Sequence, residues 1–107
     1  SMMMQEISKM VESFLVEAPH LRDCDRKLVA SIWKYEVVHF LQLDYDKMSA
    51  DDLMSVFSEG FLANPTSVRR VRAKLQEENV ALRGRLWNHR HKNAKDVAQQ
   101  IINWNEQ

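Results

Sequence analysis

Apolar residues recur at the three- and four-residue spacing of α-helices along most of this 107-residue chain, and residues that interrupt helices are scarce. The chain contains two glycines and two prolines, so long irregular segments are not expected. Alternation of apolar and polar residues, which is the pattern of a half-buried strand, is almost absent. We therefore predict an all-α fold, arranged as a compact bundle of about five helices.

Local signals place the ends of these helices. Pro19 ends the first helix, because the residue before a proline is pushed out of helical geometry. Ser49 and Asp52 resemble a capping box at the start of the third helix, and Gly60 is a natural stop at its end. Asn64 and Pro65 suit the first positions of the fourth helix. The predicted helices cover residues 4–18, 25–42, 50–60, 65–79 and 94–105.

The segment 82–92 is harder to assign, since it mixes apolar and basic residues around the turn-like Arg83-Gly84-Arg85. A short two-stranded β wing and a plain loop are both compatible with it. The last helix would then be capped by Asn93, and its apolar residues should face the core; these are Ala94, Val97, Ile101 and Trp104.

Size and composition are those of one globular domain spanning residues 1–107. No apolar run approaches the roughly 18 residues that a membrane-spanning helix needs, and no signal peptide is visible. Cys24 is the one cysteine, so an internal disulfide is excluded. We expect a cytoplasmic protein without a membrane anchor.

Charge is distributed unevenly although the net charge is zero. Residues 1–63 carry six Lys and Arg against eleven Asp and Glu, whereas residues 64–95 carry nine Lys and Arg against two Glu. A basic segment of this kind can mark a surface that binds a polyanion, or it can be a solvated face without a partner.

No catalytic or metal-binding motif occurs. Two glycines cannot supply a phosphate loop, a dinucleotide turn or a nucleophile elbow. His20 lies near Cys24 and His89 near His91 in the sequence, but the chain lacks the second, suitably spaced pair of ligands that would complete a zinc site. The acidic segment 44–52 lacks the glycine and closing glutamate of a calcium loop. We predict that the chain is not an enzyme and holds no metal or other cofactor.

The predicted helix 65–79 has an apolar side formed by Val68, Val71 and Leu75. At about 100° per residue, the opposite side carries four candidate base-reading residues, namely Arg69, Arg70, Ala73 and Gln76. Arginine and glutamine can each form two hydrogen bonds with one base edge, and a small residue between them lets a helix sit deep in the major groove. The alternative is a solvated helix stabilised by its own ion pairs, such as Lys74 with Glu77 or Glu78.

Further residues would hold the DNA backbone. Thr66 and Ser67, at the start of the helix, are candidates for binding a phosphate. Four cations after the helix would add charge beside it: Arg83, Arg85, Arg90 and Lys92. The predicted helix 50–60, a turn and the basic helix give a helix–turn–helix outline, with a turn longer than the tight version.

Two segments resemble sequences found in small uncharacterised proteins of bacteriophages and prophages. One is residues 67–79, SVRRVRAKLQEEN, followed by Leu82-Arg83-Gly84, and the other is residues 19–28, PHLRDCDRKL, followed by Ile32-Trp33. The resemblance spans residues 19–84. It implies a phage-encoded accessory protein, of a kind that binds nucleic acid with a winged-helix-like domain, but it assigns no activity and no site residues.

Two functions therefore stay open. The first is a DNA-binding protein of the transcription-regulator type, for which a dimer would be natural. The second is an inhibitor or adaptor that binds a host protein, with an exposed Trp87 and neighbouring arginines as anchors. Binding to duplex DNA at low salt would favour the first, and burial of Trp87 would weaken the second.

Overall fold

The computed structural model describes residues 4–106, with the side chains of residues 6–90 and 97–106. Its α-helices are α1 (Met4–Glu17), α2 (Asp25–Tyr35), α3 (Ala50–Ser58), α4 (Pro65–Glu78) and α5 (Trp87–Asn105). Short 3-10 turns occupy Pro19–Asp23, Tyr45–Lys47 and Val80–Leu82, and one π-helical turn, Glu36–Phe40, continues α2. Within residues 4–106 there is no strand, so the predicted all-α fold is confirmed.

Several predicted helix ends are confirmed, because they depend on neighbouring residues alone. Ser49 and Asp52 form the reciprocal capping box of α3. The side chain of Asn64 caps α4, with Pro65 in its first turn. Gly60 follows the end of α3 with a φ angle of 86°, a conformation that glycine adopts without strain.

The core is formed where α1, α2 and α4 meet. The apolar face of α1 buries Val11 and Leu15 completely, and Leu28 of α2 and Val68 of α4 pack into the same cluster. The packing of α4 against α1 is the most extensive between any two helices, with a smaller contact to α2. This arrangement fixes which side of α4 is turned outward.

The chain before α4 is held by two side chains of the α2 region. A carboxylate oxygen of the buried Glu36 accepts a hydrogen bond from the backbone N–H of Ala63 at 2.9 Å. The indole Nε1–H of Trp33 donates to the carbonyl of the same residue at 2.8 Å. Trp33 also packs on Phe57 of α3, with ring centroids 4.7 Å apart. Both polar groups of Ala63 are therefore satisfied, and the entry into α4 is fixed.

The segment 82–92 forms neither of the structures considered for it. A turn follows Leu82, and α5 begins at Trp87, so Asn93 lies inside the helix and does not cap it. The carboxylate of Asp23 accepts the backbone N–H groups of Arg85 at 3.1 Å and Leu86 at 3.0 Å. Gly84 lies against this carboxylate, where any side chain would collide with it. A long-range contact thus starts α5 earlier than the local sequence indicates.

The prediction that the apolar side of the last helix faces the core is wrong for the described side chains. Val97 is 54% exposed, Ile101 55% and Trp104 76%. The radius of gyration is 17.1 Å, compared with about 13 Å for a compact chain of this length. Consequently α5 extends beyond the bundle formed by the other helices. In the part of the chain that the structure describes, no helix is both long and apolar enough to cross a membrane.

Candidate nucleic-acid interface

The helix α4 has a buried and an exposed side, as its sequence predicts. Val68 is fully buried and Val71 is nearly so, while Leu75 packs against the core cluster. On the opposite side, four of the predicted DNA-contacting residues are exposed: Thr66, Arg69, Arg70 and Ala73. The structure therefore brings these four together on one outward surface.

The prediction that Gln76 reads a base is wrong. Its side chain is 1% exposed, and its Nε2 donates to the backbone carbonyls of Arg22 at 3.0 Å and Leu82 at 3.1 Å. Gln76 is buried because it lies only about 80° from Val68 around the helix, and the segments that pack against α4 cover its surface to at least that angle. A side chain enclosed in this way cannot reach a base edge.

Arg72 belongs to the same buried region. Its guanidinium donates to both carboxylate oxygens of Asp25, at 2.8 Å and 2.7 Å, and a third bond of 3.3 Å goes to Oε1 of Gln76. A two-point bond between arginine and a carboxylate is among the strongest polar contacts in proteins. Arg72 therefore connects α4 to the start of α2, and its charge is neutralised inside the fold.

Arg83 and Arg90 are also occupied, which corrects their assignment to the DNA backbone. Arg83 donates to the carbonyls of Gln76 and Glu77, and its guanidinium lies 3.6 Å from the ring centre of Trp87. Cations are favoured there because the last carbonyls of a helix have no partner within it. Arg90 donates to the carbonyl of Asp23 at 3.1 Å and pairs weakly with its carboxylate at 3.8 Å.

The remaining two cations of the last segment do not extend the exposed surface at the start of α4. The side chain of Arg85 is exposed, but it lies in the turn after α4, where its backbone N–H is bound by Asp23, and not at the start of α4 where Thr66 lies. The side chain of Lys92 lies outside the described residues. The predicted site is thus divided between the two ends of α4.

The predicted phosphate site at the start of α4 is already capped. The side-chain oxygen of Asn64 accepts the backbone N–H groups of Thr66 at 2.8 Å and Ser67 at 3.3 Å. These two donors are therefore satisfied within the chain. The Thr66 side chain is exposed and that of Ser67 is half-buried, so Thr66 is the better placed to contact a ligand.

Three cations on the outward side of α4 are unpaired. Arg69, Arg70 and Lys74 are exposed, and none forms an ion pair or a side-chain hydrogen bond within the described residues. Arg69 lines the same groove as Arg26, which sequence reasoning missed together with the neighbouring Lys27, both in the first turn of α2. Their position was a usable signal, since the helix dipole disfavours cations in a first turn.

Cys24 precedes α2 and is half-exposed. The backbone N–H of Lys27 hydrogen-bonds to its sulfur and lowers the pKa of the thiol, and Arg26 contributes to the shift, while desolvation opposes it. Among the described side chains, no group of three or more His, Cys, Asp and Glu is placed to hold a metal ion.

No protein-family model matches this chain, and no curated protein or solved structure is detectably similar to it. The resemblance to phage proteins accordingly stays a prediction. The residues that carry it nevertheless contact one another, since Asp25 binds Arg72 and Gly84 lies against Asp23. The two resembling segments are thus neighbours in the fold.

Proposed function

We propose that this chain is a non-enzymatic protein that binds duplex DNA through the outward side of α4. The supporting observation is that Arg69, Arg70 and Lys74 project from one helix face without a partner in the described residues. Free cations on a rigid helix suit the phosphate backbone, which supplies much of the affinity of DNA-binding proteins. If the resemblance to phage proteins holds, the chain would act as a regulator of transcription in the cytoplasm of the host.

The burial of Gln76 changes the expected mode of binding. With that residue enclosed, Arg69 and Arg70 are the side chains of this face that can still bond a base edge in two places. We therefore expect binding that depends mainly on phosphate contacts and only weakly on sequence.

Fluorescence anisotropy with a labelled random-sequence duplex at ~50 and ~200 mM salt tests the proposal. Affinity should fall steeply with salt, and Arg69→Ala or Arg70→Ala should each reduce the slope of log affinity against log salt by about 1. Lys9→Ala, which removes one exposed charge from α1, is the matched control and should bind like the wild type. Absence of binding at low salt would refute the proposal.

A second candidate, a protein-binding inhibitor or adaptor, is favoured by the exposed apolar side of α5. Trp104 is 76% exposed and is a better anchor than Trp87, which is half-buried and covered by Arg83. This function predicts a complex with a host protein that survives nuclease treatment and is lost in Trp104→Ser. A complex that disappears with nuclease would count against it.

A further inference from the structure

A groove separates α2 from the first half of α4. Its volume is about 500 Å³, which lies within the range of about 300–1,000 Å³ that is typical of small-ligand sites. The walls come from both helices and include Arg26, Val29, Trp33, Pro65, Thr66 and Arg69. It adjoins the outward side of α4, because Thr66 and Arg69 belong to both surfaces.

The charges of the groove favour an anionic occupant. Asp25, the one acidic residue among its lining residues, has both carboxylate oxygens bound by Arg72. Arg26 and Arg69, which belong to different helices, form no ion pair with a carboxylate in the described part of the chain. Two like charges beside one cleft repel each other, and the attraction of both to an anion bound between them offsets that repulsion.

The apolar lining favours an occupant that also carries a flat apolar group. Val29, Ala30 and Pro65 line the groove together with the indole of Trp33. That indole is fixed in place by its hydrogen bond to Ala63 and by its packing on Phe57. A preorganised aromatic ring loses little conformational freedom on binding, so it is well suited to contact a planar ligand. Inorganic phosphate would use the charges but not this surface.

We propose that the groove binds one unpaired nucleotide of a nucleic-acid strand. Its phosphate would lie between Arg26 and Arg69, and its base would lie against Val29 and Trp33. Paired bases cannot enter, because their faces are covered by stacked neighbours. The inference rests on the proposed function, since a strand bound along α4 would continue into the groove where the duplex ends.

Anisotropy with two labelled hairpins tests this inference, one blunt and one with a short thymidine overhang. The overhang should strengthen binding at least about fivefold, near the lower limit for one stacked base. Arg26→Ala should abolish that preference, whereas Lys27→Ala should keep it, because Lys27 is also exposed but does not line the groove. Ala30→Glu places a negative side chain in the groove on an exposed helix position and should also abolish it.

The outcomes separate this inference from the proposed function. Equal binding of both hairpins would overturn the groove assignment and leave the DNA-binding face intact. If neither hairpin binds, thymidine monophosphate is titrated into the protein, and the quenching of tryptophan fluorescence tests whether the groove binds a nucleotide. Quenching that is absent in Ala30→Glu supports the groove, and no quenching overturns it. Equal binding of inorganic phosphate, or displacement of the overhang by polyglutamate at similar concentration, would overturn the assignment to a nucleotide.

Discussion

On the inner side of α4, Arg72 and Gln76 are buried and hydrogen-bonded, whereas on its outer side Arg69 and Arg70 are exposed and unpaired within the described residues. Arginine occurs on both sides within four positions of one helix. Their surroundings differ because the inner side contacts the carboxylate of Asp25 and the backbone carbonyls of Arg22 and Leu82, while the outer side faces solvent. An arginine here stabilises the fold or stays available for a ligand according to its angle around the helix.

The largest difference between the two sides should appear in stability. We expect Arg72→Ala to lower the free energy of unfolding by roughly 2–4 kcal/mol, because it leaves Asp25 without its cation. The loss should be below that of a fully buried pair, since the side chain of Asp25 is 28% exposed. Urea denaturation followed by circular dichroism measures it.

Arg70→Ala is the control for that experiment, since it removes the same side chain from the outer side. It should change the free energy of unfolding by less than about 0.5 kcal/mol. Similar losses in both variants would show that the inner and outer sides do not differ as described.

Gln76→Leu sharpens the comparison, because it removes the amide at similar volume. The carbonyls of Arg22 and Leu82 lose their donor, so the free energy of unfolding should fall by about 1–3 kcal/mol. Duplex affinity of the folded variant should be unchanged. A variant that keeps its stability and loses duplex binding would restore the base-reading role that the sequence suggested.

These residues also show where sequence reasoning succeeds and where it ends. The caps at Ser49 and Asn64 were predictable, because a cap is decided by residues two or three positions away. The burial of Gln76 was not, because its partners are backbone atoms 54 and 6 positions away that come together through the 3-10 turns. Helical periodicity identified the apolar stripe of α4, but it did not show that the buried side is wide enough to include Arg72 and Gln76.

The prediction for the last helix was wrong for a related reason. An amphipathic pattern indicates which side of a helix disfavours water, but it does not say what covers that side. The start of α5 depends on Asp23, whose carboxylate reaches across 62 positions to the N–H of Arg85. Within the candidate site, the exposed Arg69 and Arg70 were predictable from the pattern, whereas the groove beside Trp33 required the relative placement of two helices.

Asn64 lies where the two sides of α4 begin, and its replacement should have a moderate effect. Asn64→Ala should cost about 1 kcal/mol of stability, as is typical of a lost N-terminal cap. Asn64→Asp keeps the acceptor and adds a negative charge that the helix dipole favours, so it should be at least as stable as the wild type. Thermal unfolding of both variants measures this. Equal losses in both would mean that the hydrogen bonds to Thr66 and Ser67 contribute nothing.

The smallest expected effect is the pH dependence of stability that comes from Glu36, which binds the backbone of Ala63 just before α4. Burial raises the pKa of its carboxyl, and the hydrogen bond from Ala63 partly opposes that shift. Below the pKa of the unfolded chain the group is protonated in both states, and its contribution to stability is fully present. As the pH rises through the raised pKa of the folded state, the buried group must ionise, and that contribution is lost.

Glu36→Gln isolates this contribution, because glutamine can still accept the Ala63 hydrogen bond and carries no titrating proton. The difference in thermal midpoint between Glu36→Gln and the wild type should therefore grow in favour of the variant as the pH rises from about 4, near the ordinary pKa of glutamate, towards neutral pH. Glu59→Gln, at an exposed position after α3, is the matched control for the substitution itself. A difference that stays constant over this range would mean that Glu36 titrates alike in the folded and unfolded chain. The hydrogen bonds of Trp33 and Glu36 to Ala63 would then fix the entry into α4 without adding any pH dependence to stability.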